Sequence, residues 1–154
     1  LYGVPAEHYG WLFGANAAGF ILAAQVNAWL MRFRGPGFWL RRLSGLFLLC
    51  ALALVACAVW QVPLWLLMMP LFIAMGCLGC ILPNAGACAM ARQGRQAGSA
   101  SALMGGLQFV IAALASAMVG VLHDGTALPM ALVIAGCAAL AALAAWYSGQ
   151  VEAR

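Results

Sequence analysis

From Leu43 to Ala91 the chain reads LSGLFLLCALALVACAVWQVPLWLLMMPLFIAMGCLGCILPNAGACAMA, 49 residues without an Asp, Glu, Lys or Arg. A helix rises about 1.5 Å per residue and needs about 20 residues to cross a hydrocarbon core of roughly 30 Å. The run is too long for one crossing and fits two. Gln61-Val62-Pro63 interrupts it in the right place, and Pro63 suits the first turn of a new helix. In lipid only helices and closed barrels satisfy every backbone N–H and C=O. Long apolar runs without period-two alternation select helices.

Working outward, the charged residues mark the remaining boundaries. Glu7, Arg32, Arg34, Arg41, Arg42, Arg92, Arg95, Asp124, Glu152 and Arg154 leave further uncharged stretches at 9–31, 96–123 and 125–151. Each fits one crossing. The expected fold is an all-α integral membrane bundle with spans at about 11–31, 43–60, 63–83, 98–122 and 127–147. A loop (1–10) precedes it and a tail (148–154) follows. Trp11, Trp29, Trp39, Trp60, Trp65 and Trp146 fall at span ends or in a connecting loop, as do Tyr9 and Tyr147, where an amphipathic ring sits half wet.

Composition agrees. The chain is 67% hydrophobic and 6% charged, against about 45–50% and about 25% in a soluble domain. Its net charge of +4 is too dilute for a nucleic-acid partner, and all seven basic residues are Arg. Of the six cysteines, Cys50, Cys57, Cys77, Cys80 and Cys137 lie inside apolar runs and Cys88 just beyond one. They read as small packing residues rather than a disulfide framework. The arginines cluster in 32–42, in 84–97 and at the tail, and the connections near Gln61 and His123 have none. The positive-inside rule then puts those segments and the C-terminus in the cytoplasm, and residues 1–10 outside. An outside start at Leu1 leads us to expect a C-terminal fragment of a longer protein.

The polar residues inside the spans are the functional candidates. Asn16 and Asn27 lie on nearly one face of the first span, with Gln25 opposite. An amide in lipid is unfavourable unless it is bonded. These residues either pair between helices or meet a cavity, and Asn16, the deeper one, is the better cavity candidate. The third span carries Pro70, which should kink it, and Gly76 and Gly79, which admit a close neighbour. In the fourth, Gly98, Ser101, Ala102, Gly105, Gln108, Ala112 and Ala115 form one stripe. Small residues so spaced suit tight helix contacts. Ser101 and above all Gln108, mid-membrane, are substrate-contact candidates. Asp124 or Thr126 should cap the last helix.

Cys77-Leu78-Gly79-Cys80 has redox spacing but reads as packing, and His123-Asp124 lacks partners for a metal site. No nucleophile–base pair, zinc motif or phosphate loop is present, so neither an enzyme nor a cofactor or metal is expected. No Asp, Glu, Lys or Arg lies inside a span, so any carboxylate proton relay is expected elsewhere in the protein.

Trp11-Leu12-Phe13-Gly14-Ala15-Asn16-Ala17-Ala18-Gly19, the span exit Leu82-Pro83-Asn84-Ala85, and Gln93-Gly94 followed by Ala97-Gly98-Ser99-Ala100-Ser101-Ala102-Leu103-Met104-Gly105 resemble the Bcr/CflA branch of major facilitator drug-resistance transporters. His123-Asp124-Gly125-Thr126-Ala127-Leu128-Pro129-Met130 is similar to that branch's last extracytoplasmic turn. The resemblance implies helices 8 to 12 of a twelve-helix plan, most of the second of two six-helix bundles rocking around a midplane cavity. It implies a bacterial inner-membrane exporter of amphiphilic compounds, bicyclomycin- and chloramphenicol-like, in exchange for protons. The first, third and fourth spans would line the cavity and the other two lie outside it. Arg32, Arg41, Arg42, Arg92 and Arg95 would hold the cytoplasmic face to anionic lipid or to the N-terminal bundle. The basic loop resembles a degenerate cytoplasmic gating motif, with Asn27 where a carboxylate is usual. Two other readings of the residues remain: a non-transporting membrane anchor or assembly subunit, and a major facilitator carrier of another small solute.

Overall fold

The computed structural model describes residues 6–91 and 93–152 as an all-α bundle. Its elements are α1 (Ala6–Leu30), α2 (Pro36–Val59), α3 (Leu64–Met90), a short 3-10 turn (Gly94–Gln96), α4 (Ala97–Val121) and α5 (Leu128–Glu152). Helices α2 to α5 are each long and apolar enough to cross a membrane. At 25 residues α1 is long enough too, but Asn16, Gln25 and Asn27 dilute its hydropathy.

Helix ends differ from the charge-based boundaries. The chain is already helical at Ala6, inside the expected 1–10 loop, while residues 1–5 lie outside the described residues. α2 starts at Pro36, with Gly35 as N-cap, so Arg41 and Arg42 stand within its first turns rather than before it. Charge marks the edge of the apolar zone, but a helix continues past that edge into the interface, where long basic side chains reach water. α3 passes through Pro83 and ends at Met90. A proline deletes a single hydrogen bond, and tightly packed neighbours hold such a helix together. α5 likewise runs to Glu152, into the expected tail.

The α2–α3 turn is built from its backbone outward. Gln61 has φ of 49°, and the N–H groups of Gln61 and Val62 return to the carbonyls of Ala58 and Cys57 at 3.3 and 3.2 Å. This double closure satisfies carbonyls that the helix end would leave bare. Pro63 follows directly as the N-cap of α3, one residue before the helical turn in which it was expected. At the far end Asp124 Oδ1 accepts from the Thr126 N–H (2.8 Å) and hydroxyl (2.6 Å), and Thr126 Oγ1 accepts from Leu128 N–H at 3.1 Å. The start of α5 is thereby capped.

Packing runs in the order α1, α3, α2, α5, so the consecutive helices α1 and α2 are separated by α3. One core layer joins Phe47, Cys50 and Ala51 of α2 to Ala74, Cys77 and Ile81 of α3 and Ala138 of α5. A second joins Leu54 and Ala58 to Leu67 and Ala131. Alanine and cysteine at these contacts let backbones come close, where van der Waals packing rather than water drives association. All residues of α4 are described and none is buried; its contacts with α3 and α5 are slight.

Candidate functional site: a polar seam and an amphipathic groove

The α1–α3 seam starts from glycine. A Cβ built at Gly79 would fall into the Phe20 carbonyl oxygen, with the carbonyl carbon 3.1 Å away. Only hydrogen fits there. One step along, the Cys80 thiol donates to the Ala23 carbonyl at 3.2 Å. Four residues further, Asn84 Nδ2 donates to Asn27 Oδ1 at 2.8 Å, and Asn27 Nδ2 returns to Asn84 Oδ1 at 3.4 Å. Both amides are fully buried. Asn27 Nδ2 also lies 3.5 Å from the Met31 sulfur. The spacing 20, 23, 27 on α1 and 76, 80, 84 on α3 keeps each set on one helical face. Asn84 was not among the candidates: in sequence it looked like part of a helix exit, because Pro83 precedes it.

Asn16 lies two helix turns before Ala23. Its Nδ2 donates to the Leu12 carbonyl at 2.9 Å, while its Oδ1 is buried without a hydrogen-bond partner among the described residues. A second amide acceptor is therefore available on the first helix.

Gln108 and Asn16 are not brought together. Gln108 instead lines a groove of about 600 Å³ between the end of α3, the 3-10 turn and α4. Gln93, Gln96 and Ser99 sit toward its loop end, with Met90, Met104, Leu103, Leu107 and Ile111 along its length. The groove offers neutral donors and acceptors at its loop end and again at Gln108, with apolar, pliable side chains along the rest. Thioethers adapt to varied shapes, which suits loose recognition. Ser101 is not among this groove's lining residues; its hydroxyl donates to the Gly98 carbonyl at 2.9 Å. A Cβ at Gly98 or Gly105 would meet nothing within 4 Å among the described residues, and at Gly76 only Ala23 Cβ, at 3.8 Å. Pro70 lies inside α3, half-buried.

The arginine-bearing segments share one end of the bundle. A second groove, of about 540 Å³, is lined there by Gly37, Ser44, Cys88, Ser148 and Gly149 from α2, α3 and α5. Arg41 lies so near Gly149 that a Cβ there would stand 2.8 Å from the guanidinium. Arg34 and Arg42 hold their guanidinium carbons 5.2 and 5.6 Å from the Phe38 ring centre, within cation–π range. Arg32 is exposed. Arg92 and the Arg95 side chain lie outside the described residues. The Trp39 indole donates to the Leu30 carbonyl at 3.2 Å and ties the α1–α2 turn.

No family model matches the chain, and no solved structure does. Two curated proteins are similar to it along almost its whole length. It is 26% identical over 147 residues to a bicyclomycin resistance protein homolog of Haemophilus influenzae, covering 96% of this chain and 37% of that protein. It is 32% identical over 150 residues to the MFS-type transporter YdgK of Bacillus subtilis, covering 94% of this chain and 36% of that protein. The chain thus spans little more than a third of the length of these relatives. Taken with a bundle of apolar, membrane-length helices, these likenesses identify a multi-pass membrane chain that resembles part of the major facilitator transporters, a bicyclomycin resistance protein homolog among them.

Proposed function

We propose that the chain supplies five helices of a drug:proton antiporter of the bacterial inner membrane, which exports small amphiphilic compounds of the bicyclomycin or chloramphenicol kind by alternating access. The observation that carries this reading is the likeness of nearly the whole chain to a bicyclomycin resistance protein homolog. The groove beside Gln108 supports it chemically. Neutral amides and a hydroxyl, without a carboxylate among the lining residues, suit uncharged molecules carrying hydrogen-bonding groups on an apolar frame. Asn16 supplies a further acceptor, and Ser101 and the glycines at 98 and 105 allow another helix of the intact protein to close over α4. In this reading the arginine end faces the cytoplasm and anionic lipid, the C-terminus lies inside, and the proton-carrying acids stand in the rest of the protein, with the partner bundle.

The test is accumulation of radiolabelled chloramphenicol and bicyclomycin in cells expressing the full-length gene, with and without a proton uncoupler. Reduced accumulation that the uncoupler restores supports antiport, while equal accumulation in expressing and empty cells refutes it. In the same cells Gln108→Ala should raise drug sensitivity at unchanged membrane abundance. Unaltered resistance would remove Gln108 from the site.

A further inference from the structure

Three contacts of different kinds hold α1 to α3 over the same short stretch. Gly79 leaves no room between its Cα and the Phe20 carbonyl, the Cys80 thiol is bonded to the Ala23 carbonyl, and the Asn27 and Asn84 amides are bonded to each other. Sliding α1 by one residue, about 1.5 Å, would break the last two and drive side chains of α1 over the glycine. Tilting it away would strip both buried asparagines of their partner, which is unfavourable unless another replaces it. The buried cores that join α2, α3 and α5 are apolar by contrast, and α4 has no buried residue at all.

We infer that α1 and α3 travel as one rigid pair through the transport cycle, with Asn84 as the positioning residue that fixes the depth of α1 and hence of Asn16. The inference rests on the transport reading above. It gives Gly79 to close packing and leaves Pro70, beyond the seam, as the bending point of α3.

The geometry supplies its own test. An ideal Cβ at Gly76 lies 3.8 Å from Ala23 Cβ, within the span of about 3.5–4.5 Å that disulfides bridge. The full-length protein carrying Ala23→Cys and Gly76→Cys, with Cys77→Ala and Cys80→Ser to remove neighbouring thiols, is oxidised and the 23–76 bridge identified by peptide mapping. The bridge should form readily, and the oxidised protein should export radiolabelled chloramphenicol as fast as the reduced one. Loss of export on oxidation, restored by reductant, would overturn the rigid pair, and so would failure of the bridge to form. A second arm does not depend on transport: adding Asn84→Ala should slow bridge formation several-fold, and an unchanged rate would overturn the role given to Asn84. If the reduced and parent proteins both export no drug, the transport reading fails, and the bridging rates still decide the seam.

Discussion

Gly79→Ala is the smallest change with a large expected effect. The added methyl would meet the Phe20 carbonyl carbon at 3.1 Å and Cα at 3.4 Å, and would overlap the carbonyl oxygen outright. Backbone cannot rotate aside as a side-chain tip does, so α1 must retreat by roughly an ångström to restore ordinary contact. That retreat stretches the 2.8 Å Asn84–Asn27 bond and the 3.2 Å Cys80–Ala23 bond beyond hydrogen-bond range. Overpacking of this kind costs about 1–3 kcal/mol, and an interhelical amide contact contributes about 0.6–2 kcal/mol. Because the two effects share one displacement they do not add fully, and the net loss should be roughly 2–4 kcal/mol. The control is Gly136→Ala on α5, where a Cβ meets nothing within 4 Å among the described residues. There alanine should be neutral, or stabilising by up to about 1 kcal/mol through helix propensity. Melting of the purified full-length protein in detergent reads the difference. If the two variants melt together, the close approach at Gly79 does not exist and the seam argument falls with it.

Three further expectations follow from local geometry. Asn27→Ala and Asn84→Ala should each destabilise by about 1–3 kcal/mol, because each leaves the other amide buried and unpaired; the double variant should lose much less than the sum, and strict additivity in the melting cycle would show that the amides do not interact. Gln61→Gly should raise stability by about 0.5–1 kcal/mol, since φ of 49° strains every residue but glycine; a lower melting temperature would show that the Gln61 side chain contributes more than its backbone loses. The Thr126 hydroxyl and N–H hold the Asp124 carboxyl below its ordinary value. Its contribution is therefore present above the unfolded value, about 4, and is lost as pH falls through the folded one. The stability gap between the parent and Asp124→Asn should be constant near neutrality and close below about pH 4, and a gap that widens on acidification would reverse the assigned cause.

Much of the fold was legible because a bilayer imposes one rule on every helix. Gaps between charges revealed five helices, and Gln61-Val62-Pro63 divided the longest run where the α2–α3 turn lies. The ends were less legible. Pro83 reads as a span exit, yet α3 runs through it. Proline forbids a hydrogen bond rather than a helix, and packing decides whether one missing bond matters. The seam was half visible. Asn27 announced itself as an amide in lipid, but its partner stands 57 residues away on a helix that is not its neighbour in sequence. No periodicity within a segment encodes a pairing between segments. Gln108 is conspicuous by its depth, whereas nothing within a segment links it to Gln93, Gln96 and Ser99, which the turn after α3 brings to the same groove.

The placement of α3 between α1 and α2 has a consequence for synthesis. A ribosome adding about 5–20 residues per second delivers Asn84 roughly three to eleven seconds after Asn27. Until then Asn27 lacks the amide that answers it, and within this segment α1 is joined to α2 by the short, Trp39-tied turn. Assembly of this bundle is ordered by its third helix, whose arrival gives both earlier ones their neighbours.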